Sequence, residues 1–221
     1  MTAPLPRILL TGFEPFGGES VNPSWQIAQA LDGWGCDGHR VHAVLLPCAF
    51  GDALARLDAA LAELRPDLVM CLGQAGGRTE ISIERAALNV DDARIPDNIG
   101  RQPIDIAVVP GGPAAYFSTL PIKALARDLR QAGIAAAVSN TAGTFVCNHV
   151  FYALMHRLAS VPALAHARGG FVHVPFTPPQ VAGRSGVPSM PLATQVEGIR
   201  EALRSALRTR DDVRETAGRE I

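Results

Sequence analysis

Cys147 is the first residue of this sequence that could carry out covalent chemistry. It stands in the segment TAGTFVCNHVFYALMH, three residues after a Gly-Thr step that predicts the start of a helix. If Thr144 is the N-cap, Cys147 lies in the first helical turn, where unpaired backbone N–H groups and the helix dipole favour a thiolate. A lowered thiol pKa is what a nucleophilic cysteine needs.

The same spacing also supports a structural role for this cysteine. Free cysteines are among the residues most often buried. Apolar residues recur every three or four positions along the predicted helix, at Cys147, Phe151, Leu154 and Leu158. They form a stripe that is expected to face the core. Periodicity by itself favours this structural role, because a nucleophile also needs a base within reach and a group that orients the base.

His173 and Glu84 are the candidates for those two roles. His173 is the best placed of the six histidines, because it lies in GGFVHVPF, where a short strand enters a proline-rich loop. Taken alone, it fits a structural role as well as a functional one. Glu84 lies in the otherwise apolar segment ISIERA, and a buried carboxylate needs a partner. Arg85 or a histidine could provide that partner.

Alternating apolar runs and amphipathic segments predict the elements that hold these residues. The predicted strands are 7–11, 41–46, 67–73, 82–89, 135–139 and 170–174, and the predicted helices are 23–31, 51–64, 120–131, 144–158 and 191–207. Asn22 is the predicted N-cap of the first helix, with Pro23 at its first position. This order predicts an α/β domain with a mainly parallel sheet and helices on both faces.

The segments that follow predicted strands are candidates for a ligand site. In such sheets, ligands bind beyond the carboxyl ends of the strands. That rule selects TGFEPFGG, GQAGGRTE, NTAGTFVC and HVPF. Residues 91–113 are rich in Pro, Gly and Asp, and a loop of this length inside a compact domain indicates a functional segment.

Composition bounds the class of protein. The chain has 221 residues, 48% hydrophobic and 19% charged, with a formal net charge of −1, which predicts one soluble globular domain over 1–221. Scattered arginines among carboxylates argue against a nucleic-acid or membrane partner. The apolar segment after Arg7 is too short for a membrane span and lacks a signal-peptide pattern, which predicts cytoplasmic residence. Residues 208–221 are charged, and the end of this tail is predicted to fray.

Nucleotide and metal ligands fit the sequence poorly. GFEPFGGES ends in Gly-Glu-Ser where a phosphate-binding loop needs Gly-Lys-Ser or Gly-Lys-Thr, and no GxGxxG motif occurs. The four cysteines form no CxxC pair, which predicts free thiols, and the cluster CDGHRVH at 36–42 lacks a fourth zinc ligand. The acidic stretch 91–97 fits loop solvation and capping better than a metal site.

These segments together resemble pyroglutamyl peptidase I, the pyrrolidone-carboxylate peptidase family of cysteine peptidases. The resemblance extends from about Arg7 to about Leu207 and rests on TGFEPFGG, GQAGGRTEISIERAALNVDDARIPDN, GPAAYFSTLPIKAL, SNTAGTFVCNHVFY and HVPF. It implies a three-layer α/β/α sandwich around a twisted, mostly parallel sheet, commonly assembled as a homotetramer. Two departures, Ala86 in place of a larger aliphatic residue and the segment VPALAHARGG, concern packing rather than chemistry.

The resemblance also implies a role for each candidate residue. Cys147 matches the nucleophile, His173 the general base and Glu84 the orienting acid. In the substrate pocket, Phe13 and Phe16 match the aromatic walls, and Asn22 and Gln74 match polar positions around the bound ring. Val146 matches a lining residue beside the nucleophile, and Arg94 matches an arginine near the reacting carbonyl.

The implied activity is removal of an N-terminal pyroglutamyl residue from peptides through a thioester, with no metal or organic cofactor. Two alternatives remain open from the residues themselves. One is a nucleoside phosphorylase or related transferase, which would need phosphate and tolerate thiol alkylation. The other is a non-enzymatic small-ligand or redox-sensing module that uses Cys147 without a productive triad.

Overall fold

A computed structural model describes residues 5–218 of the chain. The strands are β1 (Arg7–Phe13), β2 (Gly35–Cys36), β3 (His39–Leu46), β4 (Leu68–Gln74), β5 (Ile81–Glu84), β6 (Ala86–Leu88), β7 (Ala115–Phe117), β8 (Ala136–Ser139) and β9 (Arg168–Val174). The helices are α1 (Pro23–Ala30), α2 (Asp52–Leu64), α3 (Ile122–Gln131), α4 (Val146–Ser160) and α5 (Leu192–Arg208), with short 3-10 helices at Pro162–Leu164 and Pro178–Val181.

A seven-stranded sheet with the order β2-β3-β1-β4-β9-β5-β8 forms the centre of the fold. Strands β3, β1, β4 and β9 run parallel to one another, as predicted. β5 runs antiparallel to β9, and β8 runs parallel to β5. The segment NTAGTFVC therefore follows a strand that runs opposite to β1, β4 and β9. The carboxyl ends of parallel strands thus account for the positions of the other three predicted segments but not for this one.

Helices cover both faces of this sheet, so the three-layer α/β/α prediction is confirmed. Alternate strand residues point to opposite faces: Ile8 and Leu10 pack with α1, α3 and α5, whereas Leu9 packs with α2 and α4. The second layer includes the predicted stripe of α4, in which Phe151, Leu154 and Leu158 are buried. This stripe anchors the helix that carries Cys147.

The predicted strand 82–89 is wrong as a single element, because the chain leaves the main sheet at Arg85. The Arg85 N–H donates to the Ser139 carbonyl in β8, whereas the Arg85 carbonyl accepts from the Ser118 N–H next to β7. Beyond Arg85, β6 pairs with β7 in a separate two-stranded antiparallel sheet. One residue thus joins the two sheets directly after Glu84.

The N-cap of helix α4 lies one residue later than predicted. Phe145, and not Thr144, is its N-cap residue, and no side chain caps the helix. The Thr144 hydroxyl instead donates to the Asp92 carbonyl at 2.8 Å, and the Asp92 N–H donates to the Thr144 carbonyl. These bonds attach the long loop after β6 to the start of α4. The other predicted cap is confirmed, because the Asn22 side chain accepts from the Ser24 N–H of α1.

The segment after α5 packs against α3. The Asp212 carboxylate accepts hydrogen bonds from the backbone N–H groups of Lys123 and Ala124 in the first turn of α3. The N-cap residue of α3 is Pro121, which has no side-chain hydrogen-bond acceptor. Asp212 therefore supplies the capping carboxylate from a distant part of the chain. The predicted fraying concerns the end of the tail, and residues 219–221 lie outside the described part of the chain. Between residues 5 and 218, no helix has the length and apolar character that crossing a bilayer requires.

Gly12 lies where β1 passes α1 at close range, and we expect Gly12→Ala to destabilise the fold. A Cβ atom at Gly12 would lie 2.5 Å from the Ser24 carbonyl oxygen. The free energy of unfolding, measured by urea denaturation, should fall by about 1–3 kcal/mol. Gly35→Ala is the matched control, because a Cβ there meets no atom within 4 Å. Equal losses in the two variants would contradict the steric explanation.

Candidate active site

Glu84 and His173 form a hydrogen-bonded pair in the core. The antiparallel register sets Ser82 of β5 opposite His173 of β9, so Glu84 lies on the same face two residues further along β5. The His173 Nδ1 atom lies 2.7 Å from Glu84 Oε1, and Glu84 is 0% exposed. A carboxylate only accepts hydrogen bonds, so Nδ1 carries a proton, and in the neutral ring Nε2 has a lone pair that can accept one.

Arg78 is a second partner of the Glu84 carboxylate. Its Nη1 atom lies 2.7 Å from the same Oε1 atom. Burial raises the pKa of Glu84, but the hydrogen bond and charge of His173 and the charge of Arg78 together hold that pKa below its ordinary value. A histidine is thus one partner of Glu84, as expected, whereas Arg85 bonds to Asn140 and to the Ala217 carbonyl instead.

Cys147 reaches the sheet beside this pair. It is the second residue of α4 and is partly exposed. Gly73 of β4 pairs with His173 in the parallel ladder, and a Cβ atom at Gly73 would lie 2.8 Å from the Cys147 sulfur. The missing side chain at position 73 therefore lets the thiol approach the strand next to His173. The structure brings Cys147, His173 and Glu84 into one region.

The pKa of Cys147 differs from the expectation for a first-turn cysteine. Burial, followed by the charges of Cys48 and Glu84, raises the pKa of the thiol well above its ordinary value, and Arg78 lowers it only in part. A charge at a helix N-terminus is stabilised by about 0.3–1 kcal/mol, which is less than the cost of desolvating a buried thiolate. The prediction of a lowered pKa is therefore wrong, and the thiol needs a base.

Two of the predicted pocket residues line one open cleft. The cleft has a volume of about 690 Å³ and is formed by Phe16, Arg94, Ile104 and residues 143–145 with their neighbours. The ring centroids of Phe16 and Phe145 lie 6.1 Å apart, so the cleft has two aromatic walls. Phe145 was not among the predicted residues. The Arg94 side chain is exposed at the edge.

Phe13 and Val146 are buried rather than exposed to this cleft. The Phe13 ring contacts the Phe171 ring with centroids 6.3 Å apart, and the Phe171 ring lies 4.9 Å from that of His173. A Cβ atom at Gly73 would meet Phe171 as well as the thiol. Phe13 is therefore linked through Phe171 to His173, a contact that the sequence alone did not indicate.

Asn22 and Gln74 are buried and hydrogen-bonded within the protein. The Asn22 amide donates to the Glu14 carbonyl at 3.0 Å, and its oxygen accepts from Ser24. The oxygen of Gln74 accepts from the Gln180 amide at 2.8 Å. Both side chains hold the segments that surround the site, and Gln180 is a further residue that sequence reasoning missed.

A second histidine–carboxylate pair fixes the long loop on α4. The His149 Nδ1 atom lies 2.7 Å from Asp91 Oδ2, and the Gly51 N–H donates to His149 Nε2 at 3.0 Å. Both ring nitrogens are occupied, so His149 cannot serve as the base for Cys147. The adjacent Asn148 amide donates to the carbonyls of Leu88 and Val90. Within residues 5–218, no group of three or more His, Cys, Asp or Glu side chains is arranged to hold a metal ion.

We expect iodoacetamide to modify Cys147 before the other cysteines. Burial raises the pKa of Cys36 to about 11 and those of Cys48 and Cys71 to about 12. Cys147 is partly exposed, whereas the other three cysteines are buried, so mass spectrometry of the folded protein should detect a single modified thiol. Cys147→Ser should abolish the rapid reaction, and equally fast labelling of Cys36 would contradict this expectation.

Glu84→Gln should change how stability depends on pH. The pKa of Glu84 is lowered by folding, so the carboxylate stabilises the native state above its unfolded pKa of about 4.3, and this contribution is lost as the pH falls through the lower folded value. The difference in unfolding free energy between wild type and variant should therefore shrink below about pH 4.3. Urea denaturation of both proteins at a series of pH values across this range tests the prediction. A difference in unfolding free energy that does not change with pH would refute it.

The chain is similar in sequence and in fold to known proteins. The family model described as pyroglutamyl peptidase matches residues 6–209. The chain is 57% identical over 214 residues to pyrrolidone-carboxylate peptidase 1 of Ralstonia nicotianae, with 97% of this chain and 99% of that protein covered. The pyroglutamyl peptidase I structure from Bacillus amyloliquefaciens superposes with a TM-score of 0.92 at 43% identity, covering 96% of this chain and 100% of that chain.

A pyrrolidone carboxyl peptidase structure from Thermococcus litoralis gives the same TM-score of 0.92 at 38% identity, again covering 96% of this chain and 100% of that chain. Similarity therefore extends over nearly the whole chain, in sequence and in three dimensions. It includes the strands and the helix that carry Glu84, His173 and Cys147, all within the matched residues 6–209. This chain belongs to the pyroglutamyl peptidase family of cysteine peptidases.

Proposed function

We propose that this chain hydrolyses the amide bond after an N-terminal pyroglutamyl residue of a peptide, with Cys147 as nucleophile, His173 as general base and Glu84 as orienting acid. The observation that carries the proposal is the 2.7 Å bond from His173 Nδ1 to the buried Glu84, beside a thiol that fits only because residue 73 is glycine. The names of the relatives support the substrate class.

The reaction proceeds in two stages. His173 Nε2 removes the Cys147 proton, and the sulfur attacks the carbonyl carbon of the pyroglutamyl residue. The resulting imidazolium, which Glu84 stabilises, protonates the leaving amine, so the peptide departs and a thioester remains. His173 then activates a water that cleaves the thioester and releases pyroglutamate. A raised thiol pKa is compatible with this sequence because the base acts during attack.

The start of α4 stabilises the oxyanion that forms in each stage. The first N–H groups of a helix have no acceptor within it, and α4 has no side-chain cap. Those N–H groups lie next to the thiol and can donate to the developing oxyanion, an interaction often worth about 3 kcal/mol per donor. Arg94, at the edge of the adjacent cleft, supplies a positive charge near the same carbonyl.

The pocket is suited to an uncharged ring. Pyroglutamate is a lactam, so its site needs aromatic surfaces and a few hydrogen bonds rather than a carboxylate for an amino group. Phe16 stands at the cleft and Phe13 behind it, and Asn22 and Gln74 are the polar groups assigned to the ring. Val146 adjoins the nucleophile. Because Phe13, Val146 and the two amides are buried, we propose that ring binding shifts the loop that carries Phe16.

Activity towards a chromogenic pyroglutamyl amide tests the proposal. Cys147→Ser and His173→Ala should each lower kcat/KM by at least about 10³-fold, because nucleophile and base act as one unit. Cys36→Ser is the matched control, since Cys36 is buried on the other side of the sheet, among residues that pack with α1 and α5. A prolyl amide, which carries a charge on its ring nitrogen, should not be cleaved.

Equal rates for wild type and Cys147→Ser would exclude the cysteine mechanism. Absence of hydrolysis by the unmodified chain would favour a non-enzymatic thiol module, and a requirement for phosphate would favour a phosphorylase. Assembly as a homotetramer and cytoplasmic residence stay predictions from the sequence resemblance and composition.

A further inference from the structure

We propose that Arg78 is a positioning residue of the active site that shares the Glu84 carboxylate with His173 and so limits how strongly this carboxylate stabilises the imidazolium of the base. The proposal rests on the proposed function, because it assigns a role within the same triad. Its basis is one shared atom: Glu84 Oε1 lies 2.7 Å from His173 Nδ1 and 2.7 Å from Arg78 Nη1. The carboxylate therefore divides its charge between two donors.

The chain holds Arg78 at this position through the turn between β4 and β5. A Cβ atom at Gly76 would lie 2.3 Å from the Phe176 ring, so the turn is pressed against the segment that follows β9. Gly77 has a φ of +84°, a conformation that glycine adopts without strain. These constraints direct the following residue, Arg78, towards Glu84.

Arg78 connects a buried charge to solvent. Its side chain is 29% exposed, whereas that of Glu84 is 0% exposed. The exposed part lines a cavity of about 360 Å³ with residues 137–141 of β8 and the loop after it. The guanidinium thus keeps part of its hydration while it neutralises a carboxylate that has none, which makes the ion pair less costly than one buried on both sides.

The positive charge of Arg78 disfavours a second positive charge on the ring of His173. If Glu84 interacted with His173 alone, the full carboxylate charge would stabilise the imidazolium. With Arg78 bonded to the same oxygen, the imidazolium gains less from Glu84. The same charge lowers the pKa of the Cys147 thiol.

The other titratable groups that face the triad do not replace this charge. Besides Glu84 and Arg78, the groups whose charges act on Cys147 are two thiols, Cys71 from β4 and Cys48 from the connection between β3 and α2. As thiolates they would add negative charge, which raises the pKa of Cys147. Among these groups, Arg78 supplies the positive charge, so its removal should move both limbs of the pH profile in one direction.

The test compares the pH profile of kcat/KM for wild type, Arg78→Gln, Arg78→Met and Arg78→Lys. Both neutral variants should shift the acid and alkaline limbs to higher pH and lose about ten-fold in kcat/KM on the acid side of the wild-type optimum, with a smaller loss at their own optimum. Arg78→Lys should restore the wild-type profile. Arg85→Gln is the matched control, because Arg85 adjoins Glu84 in sequence but bonds elsewhere.

A second measurement follows the rate of Cys147 alkylation against pH, which needs no substrate. It should shift to higher pH in the neutral variants, and thermal unfolding establishes which of them is folded. Gln and Met differ in hydrogen-bonding capacity, so either folded variant provides the test. The role of Arg78 would be overturned if the pH profiles of the neutral variants were unshifted. It would also be overturned if kcat/KM fell equally at every pH and Arg78→Lys did not restore it. Absence of hydrolysis by the unmodified chain would instead overturn the proposed function.

Discussion

The hydrogen bond between His173 and Glu84 is the interaction on which the site depends, and it exists because β5 reverses direction beside β9. In an all-parallel sheet, the ends of neighbouring strands would align at one edge. Here the antiparallel register puts the end of a four-residue strand beside the middle of β9. The carboxylate is thus removed from solvent and faces a histidine across the ladder. Burial strengthens this hydrogen bond, because the surroundings have a low dielectric constant. It also means that the carboxylate needs a partner, because an unpaired buried charge is costly.

The same desolvation acts on the proposed nucleophile. A cysteine in a first helical turn is often assumed to be a thiolate, yet burial outweighs the helix dipole at Cys147 and raises the pKa of its thiol. In the proposed mechanism, the sulfur therefore stays a thiol until His173 removes its proton. The close approach to β4 that Gly73 permits brings this thiol beside the strand position that pairs with His173.

Sequence patterns predicted most of the scaffold, and the family resemblance selected Cys147, His173 and Glu84, which the fold brings into one region. Apolar periodicity is local, so the strands around β1 and β4 and the stripe of α4 could be read from the chain. The reversal of β5 and β8 could not, because strand direction depends on contacts between segments far apart in sequence. For the same reason the sequence left the partner of Glu84 open between Arg85 and a histidine, whereas the fold supplies His173 and Arg78 together. Burial of Phe13 and Val146 likewise depends on packing against distant elements.

Arg85 has a consequence for how the molecule can move. Its N–H donates to Ser139 of β8 in the central sheet, and its carbonyl accepts from Ser118 beside the two-stranded β6–β7 sheet. Local opening of the β6–β7 sheet would therefore act on the residue that directly follows Glu84. We expect hydrogen exchange in the β6–β7 sheet to be coupled to exchange at the end of β5. A small ribbon outside the central sheet thereby has a mechanical connection to the carboxylate that bonds His173.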